Sequence, residues 1–172
     1  MIFKDFHAVQ RFMIDEIQDD IVNSKIYLSP NLNQKGIKEY PNIFLNSVKR
    51  NGIDDFISNL TLDYFNTHTL RNTKNGPIFA KMRFDANIML CQSEFNRFYM
   101  RAICLKSLDE NKKFVKVYRA GEVKIKRSIS YNLIGKEFLA EEILNDLRQN
   151  PGKETRYKLG SPNSGLSVEL IL

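Results

Sequence analysis

The stretch Phe84 to Asp109, FDANIMLCQSEFNRFYMRAICLKSLD, decides how the rest of the chain is read. In it Phe84, Ile88, Cys91, Phe95, Phe98, Ala102 and Leu105 follow one another at spacings of 4, 3, 4, 3, 4 and 3. That is the seven-residue apolar repeat of a helix. Asp85 stands where an N-cap belongs, and a helix over residues 86–109 would be roughly 36 Å long. Residues off the seam are apolar too, among them Met89, Leu90, Tyr99, Met100 and Ile103. A helix apolar round most of its circumference is buried by its own domain, which makes this one the spine of the fold. A dimerising coiled coil through the same seam is the alternative. Arg97 and Arg101 lie one turn apart beside Glu94. On an open face they would form a surface network. Buried, they would need carboxylates, from Asp85 or from the acids of the first helix.

Towards the N-terminus, Phe6, Val9, Met13, Ile17 and Ile21 mark an amphipathic helix ending near Asn23 and Ser24. Ser29 to Gly36 reads as a turn. Pro41 suits the first turn of a second helix carrying Phe44, Leu45 and Val48, which Asn51-Gly52 ends. Ile53, Phe56, Ile57 and Leu60 give a short third helix. The Thr- and Asn-rich segment 61–76 reads as a long loop or linker. From Pro77 the period changes to two: Ile78, Ala80, Met82 and Phe84 alternate with Phe79, Lys81 and Arg83, a strand with a basic outer face.

Beyond the long helix, Phe114 to Arg119 and Glu122 to Arg127 read as two strands of a hairpin around Ala120-Gly121. A last helix is expected from Lys136 to Gln149, and a closing strand carries Leu166, Val168 and Leu170. Helices and strands mix without βαβ alternation. The expected fold is therefore α+β: a mostly antiparallel sheet of about four strands packed against the central helix and flanking amphipathic helices. At 172 residues the chain is read as one domain over 1–172, with a helical part over 1–60 and a strand–helix–hairpin–helix–strand core over 77–172.

The chain has 26 Lys and Arg against 20 Asp and Glu, a net charge of +6, which favours acidic partners such as nucleic acid. No signal-peptide pattern opens the sequence, and no run of about 18 apolar residues suggests a membrane span. The expected location is the cytoplasm, or a host cytoplasm or virion if the protein is phage-encoded. Cys91 and Cys104 lie 13 residues apart in the same helix, roughly 20 Å and far beyond disulfide reach. With no CxxC or neighbouring histidine, they read as buried free thiols rather than metal ligands.

Enzymatic signatures are sparse. His7 and His68 are the two histidines, and neither lies in an HExxH, HxH or HNH context; both read as surface residues. Gly135-Lys136 lacks the upstream glycine and following Ser or Thr of a phosphate loop. One pattern has chemical sense: Asp109, Glu122 and Lys124 match the layout of a metal-dependent nuclease, with carboxylates to hold Mg²⁺ and a lysine to steady water or phosphate. Cross-strand charge pairing explains the same residues.

The basic residues are more concrete. Lys112, Lys113, Lys116, Arg119, Lys124, Lys126 and Arg127 fall within 16 residues, against Glu122 as the one acid. Phe114 and Tyr118 are interleaved with them. On a two-stranded ribbon such residues could follow a phosphate backbone, with Lys81 and Arg83 extending the patch if their strand were adjacent. A solvated edge strand guarded by lysines is the plain alternative. The expectation is a non-catalytic interaction or assembly protein, of a phage, a mobile element or a bacterium, that needs no cofactor or metal. It would contact nucleic acid or an acidic protein through this ribbon. A homo-oligomer assembling through the apolar helix is a further reading.

Overall fold

In the computed structural model, which describes residues 1–121, 132–160 and 165–171, the decisive stretch is one continuous helix, Ala86–Asp109. The described elements in chain order are α1 (Phe6–Val22), α2 (Gln34–Lys49), α3 (Ile53–Asn59), a 3-10 turn (Leu62–Tyr64), β1 (His68–Thr73), β2 (Gly76–Lys81), α4 (Ala86–Asp109), β3 (Phe114–Arg119), β4 (Glu137–Leu139), α5 (Ala140–Gln149) and β5 (Leu166–Leu170). The class is α+β, as expected. The strands do not form a single sheet of four: β1 pairs with β2, and β4, β3 and β5 form a separate sheet in that order. All these pairings are antiparallel. The chain forms two compact units, one from Met1–Tyr27 with Gln92–Leu172 and the other from Leu28–Cys91.

In the first unit every residue from Glu94 to Cys104 is buried. A helix enclosed on all sides must find partners for its polar side chains internally, and here several reach far across the unit while Asn96 Oδ1 has no partner among the described residues. Asn96 Nδ2 donates to the Leu166 carbonyl of β5 at 2.7 Å, and the Tyr99 hydroxyl donates to the Lys4 carbonyl. Arg97 donates to the carbonyls of Lys153, Gly160 and Asn150, so one guanidinium holds the turn after α5. Arg101 reaches α1, donating to Glu16 and to both oxygens of Asp20. Arg148 of α5 grips the same Glu16. The acids of the first helix are thus the buried partners that Arg101 requires, whereas Asp85 pairs with Arg83. Around this ionic seam lies an apolar core that includes Val9, Met13, Phe95, Ile103, Val115, Ile143 and Val168.

The second unit centres on an aromatic cluster. Phe44 and Phe56 stack with ring centroids 4.4 Å apart, and Tyr40 lies 5.9 Å from Phe56. Asn33 starts α2: its Oδ1 accepts from the Gly36 N–H at 2.9 Å, and its Nδ2 donates to the carbonyls of Asp63 and Phe65. The helix therefore begins seven residues before Pro41, inside the stretch read as a turn. Pro41 sits in the helix interior, where its lost hydrogen bond is tolerated because the flanking Tyr40 and Phe44 are fully buried. Gly36 is required by packing: a Cβ there would collide with the Tyr64 carbonyl oxygen.

Three other boundaries differ from the sequence reading. Segment 61–76, taken for a loop, contains the 3-10 turn and β1. Both faces of β1 and β2 are largely open, so no buried face imprints period two on the Thr-rich half. Residues 137–139 form β4 rather than the start of the last helix, because Phe114 to Lys116 offer a pairing edge; Ala140 N–H then donates to the Lys113 carbonyl at 2.8 Å, satisfying the first turn of α5. Finally, β3 is a central strand, with β4 and β5 on its two sides, and not a solvated edge strand. The expected strand over 122–127 lies outside the described residues.

Candidate nucleic-acid interface

The sequence puts the basic surface on the 112–127 ribbon, and in its described part, around β3, the structure mixes the charges. Lys116 stands in register with Glu137 of β4 on one side and Glu169 of β5 on the other. Glu169 in turn holds Lys4 at 2.5 Å, and Lys112 pairs with Glu110 at 3.2 Å. Lys113 is exposed, while Arg119 turns inward, its two terminal nitrogens enclosed without a hydrogen-bond partner among the described residues. Lys124, Lys126 and Arg127 lie outside the described residues, as do Glu122 and Lys124 of the nuclease pattern; Asp109 of that pattern is the exposed last residue of α4. No group of three or more His, Cys, Asp or Glu side chains gathers as a metal site among the described residues. Lys81 and Arg83 do not extend β3, since β2 pairs with β1.

Lys81 belongs instead to a hairpin in the second unit, and Arg83 follows it two residues beyond β2. Thr73 pairs with Gly76, leaving Lys74 and Asn75 as a two-residue loop. The Thr73 hydroxyl donates to the Gly76 carbonyl at 2.7 Å and accepts from the Asn75 N–H. Gly76 has φ +104, a conformation that favours glycine. The Asn75-Gly76 dipeptide was the signal available to the sequence reading, since Asn-Gly ahead of an alternating strand marks a tight hairpin. At its base the hairpin is tied down by Thr69 Oγ1 donating to Asn31 Oδ1 at 2.7 Å and by the Met82 N–H donating to the Thr67 carbonyl at 2.8 Å.

Register assigns the faces. His68, Leu70 and Asn72 of β1 share one face with Lys81, Phe79 and Pro77 of β2, and all six are exposed. Phe79 is 75% exposed and Leu70 68%. The His68 and Phe79 rings lie nearly parallel, 14° apart in plane and 5.1 Å between centroids. The opposite face carries Arg71, whose Nη2 donates to the Lys81 carbonyl at 3.0 Å. From Tyr64 to Phe84 the chain contains Arg71, Lys74, Lys81 and Arg83 and no Asp or Glu. Arg83 is engaged by Asp85 at 2.7 Å; Lys74 and Lys81 make no ion pair among the described residues. The remaining candidates are quieter: His7 is exposed against Phe6, and Cys91 and Cys104 are buried free thiols.

No family model, no curated protein and no solved structure matches this chain. Among the described residues no helix is long and apolar enough to cross a membrane.

Proposed function

We propose that this protein is a non-catalytic nucleic-acid-binding protein, an accessory or assembly factor of a bacterium, phage or mobile element, and that the β1–β2 hairpin is its contact surface. The observation that carries the reading is the hairpin's charge. Three cations, Arg71, Lys74 and Lys81, and an imidazole stand on an open ribbon roughly 20 Å long, and the sequence has no carboxylate between Asp63 and Asp85. On β3, by contrast, Lys116 is flanked by Glu137 and Glu169. A ribbon that follows a phosphate backbone needs uncompensated cations, because release of condensed counterions supplies the affinity.

Arg71, Lys74 and Lys81 are the cations of the hairpin, and none of them pairs with a carboxylate among the described residues. If each neutralises one phosphate, affinity falls roughly 20- to 40-fold between 50 and 200 mM salt. The test is a fluorescence-anisotropy titration of the intact chain with DNA and RNA oligonucleotides across that salt range. A Lys74→Glu/Lys81→Glu variant should bind more weakly and with a shallower salt slope. Unchanged affinity in that variant removes the hairpin as the site, and no binding at low salt removes the reading.

A further inference from the structure

We infer that the open face of the β1–β2 hairpin stacks unpaired bases, so that the ligand is a single-stranded nucleic acid; this rests on the nucleic-acid reading above.

The charges alone would suit any phosphate backbone. The aromatic residues narrow the choice. Phe79 presents most of its ring to solvent, and His68 packs flat on it from the diagonal position across the hairpin. Leu70, directly opposite Phe79, extends the same flat apolar surface. Such a surface contributes little to the fold, because Phe79 and Leu70 are open to solvent among the described residues. A duplex offers it phosphates and base edges, neither of which gains from contact with an open ring. An unpaired base offers a π-face of matching size, and stacking of this kind tolerates any sequence.

The cations are arranged to serve that platform. Lys81 is in register with His68 at one end, Lys74 occupies the loop at the other, and Arg71 lies on the reverse face. Lys74 and Lys81 stand at the two ends of the aromatic surface without covering it, so a backbone held between them would leave its bases turned onto the rings. Lys and Arg on the rim with aromatic rings at the centre is the division of labour of single-strand binders.

The experiment uses the full chain with fluorescein-labelled oligothymidine of about 12 nucleotides, a length that such surfaces cover, and a duplex of equal length and label. A second single strand carries 2-aminopurine, whose emission reports stacking. The expected result is tighter binding of the single strand, a change in 2-aminopurine emission on binding, and a roughly 5- to 150-fold loss of single-strand affinity in Phe79→Ala, the factor for one base stack. Phe79→Tyr should keep the affinity, and Phe79→Ala should keep the parent salt slope. Equal or tighter duplex binding overturns the inference. So does an unaltered affinity in Phe79→Ala when Lys74→Glu/Lys81→Glu binds weakly; the nucleic-acid reading survives both of these results. Absence of binding to either probe at low salt ends the reading and the inference together.

Discussion

Arg101 and Asp20 form a buried two-pronged pair, with Nη1 2.6 Å from Oδ2 and Nη2 3.0 Å from Oδ1. The same guanidinium donates through Nε to Glu16, so α1 and α4 are joined by charge as well as by apolar packing. A pair of this kind is weak as a source of net stability and costly to break, because the survivor is left charged and out of water.

Arg101→Met should therefore destabilise the protein by about 3–5 kcal/mol. Adding Asp20→Asn should recover part of that loss, since the orphaned charge is then removed, while Glu16 keeps Arg148. Urea-unfolding midpoints of the two variants and the parent give the comparison. A double variant no more stable than Arg101→Met would show that packing, and not the stranded carboxylate, sets the cost.

Glu94 predicts a pH dependence. Burial pushes its carboxyl up to about 7, against the weaker pull of Arg97 and Arg101 and with a small push from Asp20. Between the ordinary value of 4.5 and about 7 the folded protein holds a proton that the unfolded chain has released. Stability from this group is complete below the lower value and falls as pH rises through the window, by about 3 kcal/mol at most. Glu16 has the opposite sign. Burial would raise it, but Arg148 and Arg101 outweigh burial and hold it low, so its contribution is lost as the pH falls into the acid range. Glu94→Gln should flatten the decline between pH 5 and 8, read as the urea midpoint at each pH; a slope identical to the parent's would exclude Glu94 as its source.

Gly36→Ala should loosen the second unit. The added methyl meets the Tyr64 carbonyl and the Leu32 side chain, and backbone cannot move aside as a flexible side chain can. A cost of about 1–3 kcal/mol is expected, with faster amide exchange at Asn33 and Phe65, whose hydrogen bonds hold that contact. Unchanged exchange there would mean the helix shifts without strain.

The thiols should be inert in the native state. Both are buried, and burial drives each thiol pKa upward, so little reactive thiolate forms near neutrality. A disulfide-exchange reagent such as DTNB should label neither cysteine quickly in buffer and both in denaturant. Fast native labelling of Cys91 or Cys104 would contradict the packing around α4.

What was legible in the sequence follows from where burial leaves a pattern. α4 was read from residue 86 to 109 because its apolar repeat is long and its length leaves no strand alternative. The closing strand was read because Leu166 and Val168 pack inward. β1 was missed because neither of its faces is fully buried, so Thr and Asn there carry no periodic signal. β4 reads as helix in the sequence because three residues are too few to show a period, and its pairing depends on Phe114, more than twenty residues away. The ionic seam was half visible: Arg97 and Arg101 were recognised as needing partners if buried. Only the fold shows that Glu16 and Asp20 are the acids of α1 that meet Arg101, and that Arg97 donates to three backbone carbonyls.

The order of the two units along the chain has a consequence for synthesis. The unit built on Leu28–Cys91 is one unbroken segment, while the other is assembled from Met1–Tyr27 and Gln92–Leu172. As the chain leaves the ribosome, the hairpin unit has all its residues before Gln92 is made. Helix α1 emerges before that unit, yet it waits with Glu16 and Asp20 uncompensated until Arg101 and then Arg148 arrive. Residues made ahead of the hairpin unit are thus completed only after it, and during that interval the apolar stripe of α1 is a part of the nascent protein in need of a chaperone.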